Sequence, residues 1–108
     1  MVKSGMMMMN EKLFSKYFKA FGDQSRLKIV MLLSSNEMSV NDIAGAIGLS
    51  QPTVSRHLAV LREAEIVVDR RDGQNVFYSL NKGSVRNCCA GFCDCLAIPI
   101  RPGKKTKK

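Results

Sequence analysis

Two helix-capping signals separated by one residue constrain the fold of this chain more than any other feature. Ser39-Val40-Asn41-Asp42 is a variant of the capping box, with Asp in place of the usual Glu or Gln, and it predicts the start of a short helix. Gly48 is suited to the left-handed conformation that ends such a helix. Only Leu49 separates Gly48 from Ser50, a suitable N-cap for a second helix that runs to about Ala64. Two short helices joined by a glycine-containing turn predict a helix-turn-helix.

Two more helices are predicted before this pair. Residues 10–21 carry apolar side chains at helical spacing, which form one aromatic face: Leu13, Phe14, Tyr17, Phe18 and Phe21. Gly22 ends that helix, and Asp23 is a good N-cap for the next one. The second helix is apolar on nearly all sides, which predicts that it lies in the middle of the core.

After the helix-turn-helix, the spacing of apolar residues changes from helical to alternating. Segments 66–71 and 75–80 are typical of strands, and they flank Asp72-Gly73-Gln74, which is a strong hairpin signal. A hairpin in this place is the wing of a winged helix. A last helix then begins at Asn81 or at Gly83-Ser84 and ends near Leu96, because the prolines that follow cannot continue it. The predicted fold class is mainly α with a β-hairpin wing, an α+β winged helix-turn-helix.

Length and charge indicate one domain with a polyanionic partner. The 108 residues have room for a single domain, which we place at 10–97, between a disordered N-terminus at 1–9 and a basic tail at 98–108. The 17 basic residues exceed the 9 acidic ones, which favours nucleic acid as a partner.

No apolar run is long enough to span a membrane and none is typical of a signal peptide, so we expect a cytoplasmic protein with reduced thiols. One histidine and dispersed carboxylates offer no catalytic set, which argues against an enzyme.

The second helix of the helix-turn-helix is the candidate reader of DNA. If Val54, Leu58 and Leu61 face the core, the opposite side carries polar side chains suited to base edges and phosphates. The candidate residues on that side are Gln51, Thr53, Ser55 and Arg56. On the hairpin, Arg70 and Arg71 are candidates for phosphate or minor-groove contacts. An ordinary solvated helix face, and arginines that only solubilise an edge hairpin, are the alternatives.

All four cysteines lie within eight residues of the last predicted helix. Thiols packed together in this way indicate a site for a soft metal ion or for redox chemistry. On a helix, Cys89 and Cys93 lie one turn apart on one side and Cys88 adjoins Cys89, whereas Cys95 lies roughly 10 Å from Cys88 along the axis. An undistorted helix therefore cannot bring all four sulfurs to one tetrahedral ion. The predicted metal site is Cys88, Cys89 and Cys93, with Cys95 as a further candidate, and Gly91 lowers the cost of bending the helix there.

Residues 12 to about 81 resemble the ArsR/SmtB family of winged-helix repressors. The matching motifs are segments 21–29, 43–44, 49–58, 61–64 and 70–78, and the longest of them is Leu49-Ser50-Gln51-Pro52-Thr53-Val54-Ser55-Arg56-His57-Leu58. The resemblance implies a homodimer whose first and last helices form the interface. It also implies that the protein binds an inverted-repeat operator in double-stranded DNA and leaves it when an inducer binds.

The chain departs from this family at an informative place. Arsenite and soft-metal sensors of the family often carry Cys-Val-Cys-Asp-Leu at the start of the first helix of the helix-turn-helix, where this chain has Ser39-Val40-Asn41-Asp42-Ile43. That thiol site cannot form here. The family also places inducer sites on the C-terminal dimerisation helix, which is where the four cysteines fall. We therefore expect a DNA-binding repressor released by arsenite or another soft metal ion. Thiol redox sensing, a structural zinc or iron–sulfur site, and incidental thiols stay open as alternatives.

Overall fold

The computed structural model describes residues 11–99. Within this range the chain forms five helices and three strands: α1 (Glu11–Phe21), α2 (Gln24–Leu33), β1 (Met38–Ser39), α3 (Val40–Ile47), α4 (Gln51–Glu63), β2 (Val67–Asp72), β3 (Asn75–Leu80) and α5 (Lys82–Cys95). The order of elements is the predicted helix-turn-helix followed by a wing and a last helix. The segment expected to be disordered, 1–9, and the tail from residue 100 onward lie outside the described residues.

Side-chain caps start the helices where the sequence predicted. Asp23, Ser39 and Ser50 each accept a hydrogen bond from the backbone N–H three residues later, at 3.1, 3.2 and 3.3 Å respectively. Gly48 ends α3 with φ = 73°, the left-handed conformation that a residue without a side chain adopts at little cost. Between the two predicted starts of α5, the structure selects Asn81, whose side chain accepts from the N–H of Ser84.

The core lies where α2, α3, α4 and the base of the wing meet. Its fully buried side chains include Ile29, Ile43, Leu58, Leu61, Ile66, Val54 and Val67. The expectation that α2 lies in the middle of the core is confirmed in part. Ile29 and Leu33 are buried, but Leu27 is 44% exposed and Met31 is 69% exposed. The helix contacts α1, α3, α4 and β3, and Val30 and Leu32 also pack against the core, so only part of its apolar surface is left exposed.

The wing is part of a three-stranded antiparallel sheet with the order β1-β3-β2. Asp72 pairs with Asn75, which leaves Gly73 and Gln74 as a two-residue loop, and Gly73 has φ = 66°. The predicted hairpin is confirmed. The sequence did not predict β1, in which Met38 pairs with Tyr78 and Ser39 with Phe77. Two residues are too few to give an alternating pattern, so no local signal marks this strand.

The end of α4 stores backbone strain. Glu65 has φ = 63°, a left-handed conformation that is costly for a residue with a side chain. Its N–H donates to the Arg62 carbonyl at 2.9 Å, and the N–H of Ile66 donates to the Leu61 carbonyl at 2.9 Å. This pair of bonds is the Schellman motif, in which glycine is the usual residue at the left-handed position. The motif turns the chain sharply from α4 into β2.

Replacing Glu65 with Gly is expected to raise the free energy of unfolding by about 0.5–1 kcal/mol. Glycine removes the strain of the left-handed conformation, and its greater freedom in the unfolded chain offsets only part of that gain. Urea denaturation at a fixed protein concentration measures the change. Glu65→Ala is the matched control, because it removes the carboxylate but keeps the strained Cβ. Equal stability of the two variants would contradict this account.

Candidate nucleic-acid interface and thiol site

Helix α4 turns one side into the core and the other outward, as the sequence predicted. Val54, Leu58 and Leu61 are fully buried. On the outward side, Gln51, Ser55 and Arg56 are exposed and Thr53 is half-buried. All four candidate side chains are therefore at least partly accessible, and the buried row fixes the rotation of α4 about its axis.

Hydrogen bonds hold two of the four candidate side chains. The Gln51 side-chain amide donates to the side-chain carbonyl of Asn41 on α3. The Ser50 hydroxyl donates to the Thr53 hydroxyl at 2.9 Å. Within residues 11–99, no hydrogen bond or ion pair holds Arg56. The interface thus combines a positioned amide with a free guanidinium. This contact with Asn41 could not be predicted from the sequence, because Asn41 lies ten residues away on another helix.

Arg26 joins α1 to α4. Its Nε donates to the Ala20 carbonyl at 2.7 Å and its Nη2 donates to the Lys19 carbonyl at 3.2 Å, so the guanidinium binds two carbonyls of the last turn of α1. Its Nη1 lies 3.2 Å from Nδ1 of His57, the residue after Arg56. The guanidinium therefore links the last turn of α1 to the helix that is the candidate reader of DNA.

The two wing arginines have different surroundings. The guanidinium of Arg70 forms a bidentate pair with Glu37, with Nε–Oε2 at 3.0 Å and Nη2–Oε1 at 2.8 Å. It also lies 5.1 Å from the centroid of the Phe77 ring and 3.8 Å from Asp72. The hydrogen bonds from Arg70 hold the pKa of the Glu37 carboxyl below its usual value. Arg71 is exposed and has no such pair within the part of the chain that the structure describes.

Helices α1 and α5 pack through aromatic rings. Phe92 of α5 contacts Phe14 edge-on at 5.3 Å between ring centroids and Phe18 at 4.8 Å. Near the start of α5, the Tyr17 and Ser84 hydroxyl oxygens lie 2.6 Å apart. Part of the predicted aromatic face of α1 is therefore covered by α5 of the same chain. Phe18 is still 45% exposed, which leaves an apolar strip beside α5.

The four cysteines of α5 are free thiols in different environments. Cys88 is 2% exposed, and its burial, together with the neighbouring Cys89, raises the pKa of its thiol. Cys89 and Cys95 are exposed and Cys93 is half-buried. Among residues 11–99, no three cysteine, histidine or acidic side chains are arranged to hold a metal ion. The donor set suits a soft ion, but the three sulfurs of Cys88, Cys89 and Cys93 are not gathered within one chain.

The direction of Cys88 follows from its row on the helix. Cys88 lies three residues after Val85 and four before Phe92, and residues at these spacings share one side of a helix. Phe92 contacts α1, so Cys88 also faces the interior, while Cys89 and Cys93 lie on the adjacent side. Helical spacing predicted that Cys89 and Cys93 lie on the same side of α5, but it did not reveal that Cys88 is the buried thiol.

Among the described helices, none combines the length and apolar character that crossing a membrane requires.

Comparisons with known proteins agree with this architecture. The model of the arsR family of bacterial regulatory proteins matches residues 23–68. The transcriptional repressor SdpR of Bacillus subtilis is 45% identical over 64 residues, which cover 59% of this chain and 71% of that repressor. The arsenical resistance operon repressor of Escherichia coli is 48% identical over 65 residues, which cover 59% of this chain but only 56% of that repressor.

A solved structure agrees over a larger share of the chain. The homodimeric winged helix-turn-helix DNA-binding domain of a possible ArsR-family regulator from Mycobacterium bovis superposes with a TM-score of 0.67. The two chains are 28% identical, and the superposition covers 80% of this chain and 79% of that domain. Sequence and fold together show that the chain belongs to the ArsR family of DNA-binding transcriptional regulators.

Proposed function

We propose that the chain is a homodimeric, cytoplasmic repressor that binds an inverted-repeat operator through α4 and the wing. The observation that carries this proposal is the outward side of α4, where a positioned Gln51 amide and an unpaired Arg56 guanidinium lie beside Ser55. Glutamine can pair with adenine and arginine with guanine in the major groove, and serine hydroxyls contact bases or phosphates. The net charge of +8 supports attraction to the DNA backbone.

A dimer would place two such helices on one face of the DNA. The exposed Phe18 on α1, and Leu96 directly after α5, supply apolar surface that a second copy can cover. The related domain from Mycobacterium bovis is a homodimer. A two-fold dimer of helix-turn-helix units binds half-sites about one helical turn apart, so an inverted repeat is the operator that such symmetry requires.

The inducer in this proposal is arsenite or another thiophilic ion held by Cys88, Cys89 and Cys93, with Cys95 outside the set. Thiolate sulfur is the ligand that soft ions prefer. Cys88 can contribute its sulfur only if its side chain leaves the interior, where it shares a side of α5 with Phe92. That movement disturbs the ring contacts with α1, and Arg26 connects the end of α1 to α4. These contacts would transmit the movement of α5 through α1 to α4, and the protein would leave the DNA.

Replacing Arg56 with Ala should weaken operator binding by about 1–3 kcal/mol and relax base preference, because a bidentate base contact is lost. Fluorescence anisotropy with a duplex from the region upstream of the chain's own gene, and with random DNA, measures both effects. Arg86→Ala on α5 removes the same charge far from the outward side of α4 and serves as the control. An equal loss on operator and random DNA for Arg56→Ala would show that α4 does not read the sequence.

Replacing Cys88, Cys89 or Cys93 with Ser should preserve DNA binding but abolish release by arsenite under reducing conditions, because each change removes one of three sulfurs. Cys95→Ser is the matched control and should have a smaller effect. The same anisotropy assay, with arsenite titrated onto the complex, provides the measurement. Release that persists in a Cys89→Ser, Cys93→Ser double variant would refute the site. Release by peroxide without arsenite would support thiol oxidation instead.

A further inference from the structure

The pair between Glu37 and Arg70 connects the outer strand of the wing to the start of the helix-turn-helix. Arg70 on β2 pairs in register with Phe77 on β3, and Phe77 pairs in turn with Ser39 on β1. Glu37 lies directly before β1, and Ser39 is the N-cap of α3. The guanidinium therefore crosses the face of the central strand, rests over the Phe77 ring and binds a carboxylate that precedes α3.

The geometry of this pair favours a fixed connection. Both guanidinium-to-carboxylate bonds are short, and a bidentate fork restricts direction as well as distance. The aromatic ring beneath the guanidinium adds a second restraint. The hairpin otherwise extends away from the core, since β2 has one buried residue at its base and exposed residues beyond it. A restraint on Arg70 is thus a restraint on the angle of the wing.

Charge compensation separates Arg70 from Arg71. Glu37 already neutralises Arg70, so a move of Arg70 to a DNA phosphate would leave an unpaired carboxylate close to a polyanion. Arg71 has no such pair among residues 11–99, and neighbouring side chains on a strand point to opposite faces. Arg71 can therefore replace a counterion on the DNA without breaking a contact within the protein.

We propose that Arg70 is a positioning residue that, with Glu37, sets the angle of the wing relative to α3 and α4, while Arg71 is the wing residue that contacts phosphate. This inference rests on the proposed DNA-binding function. It assigns different roles to two adjacent arginines that the sequence predicted to have the same role. It also makes Glu37, an acidic residue, a determinant of affinity for DNA.

The salt dependence of operator binding tests this division. Arg71→Gln should reduce the slope of log K against log salt by about 0.9 for each protomer, as expected when one phosphate contact is lost. The double variant Glu37→Gln, Arg70→Gln keeps the net charge, and it should weaken binding about threefold to tenfold with the slope unchanged, because each dimer loses two exposed ion pairs. The reversed pair, Glu37→Arg with Arg70→Glu, should recover most of that affinity.

A second measurement reports on the wing without DNA. Amide hydrogen exchange of residues 67–80 in the free protein should be faster in the Glu37→Gln, Arg70→Gln variant, return toward the wild-type rate in the reversed pair, and stay unchanged in Arg71→Gln. The inference would be overturned if the double variant lowered the slope of log K against log salt as much as Arg71→Gln does and the reversed pair did not recover operator affinity. Arg70 would then be a phosphate contact. Failure of the wild-type protein to bind any duplex would instead overturn the proposed function. The exchange rates distinguish these two failures, because they do not depend on DNA.

Discussion

The burial of one side of α4 is the constraint on which the rest of this structure depends. Val54, Leu58 and Leu61 are fully buried among side chains of α2, α3 and the base of the wing. Burying one such side chain contributes about 1.5–3 kcal/mol, so any rotation of the helix that exposed this row would be strongly unfavourable. The outward direction of Arg56 is therefore set by core packing. A surface that reads DNA needs this rigidity, because base contacts depend on fixed geometry.

A continuous set of contacts leads from the thiols to this helix. Cys88 lies on the side of α5 that packs on α1 through Phe92, and Arg26 binds both the last carbonyls of α1 and His57 on α4. Each contact is directional or close-packed, so a displacement at one end changes the next. This continuity is the physical basis of the coupling that we propose between the thiols and α4. The buried thiol thus lies at the start of this route.

Local signals in the sequence predicted the elements well, and long-range contacts account for what they missed. Asp23, Ser39, Gly48 and Ser50 act within three or four residues, so the starts of α2, α3 and α4 and the end of α3 follow from them. The strand β1 depends on pairing with residues almost 40 positions later, and no local pattern reveals it. The same reasoning explains why Leu27 and Met31 of α2 are exposed, because apolar composition alone does not show which side of a helix lacks a partner.

In the candidate site too, local periodicity predicted some features, whereas others depend on contacts between distant residues. From the periodicity of α4 we predicted that Gln51, Thr53, Ser55 and Arg56 face outward; Gln51, Ser55 and Arg56 are exposed and Thr53 is half-buried. Residues that hold or pair with site side chains could not be predicted, because Glu37 and Arg70 are 33 positions apart and Arg26 and His57 are 31 apart. For the cysteines, helical spacing placed Cys89 and Cys93 together, whereas the burial of Cys88 depends on where α1 lies.

The most direct test of the central claim is the affinity of the reduced protein for arsenite, measured by calorimetry with and without saturating operator DNA. If the α5 thiols and α4 are coupled, DNA must weaken arsenite binding by the same factor by which arsenite weakens DNA binding. We predict equal factors for the two measurements in the wild-type protein, and no coupling in a Cys89→Ser, Cys93→Ser variant. Arsenite that binds the free and operator-bound protein equally tightly would contradict the account.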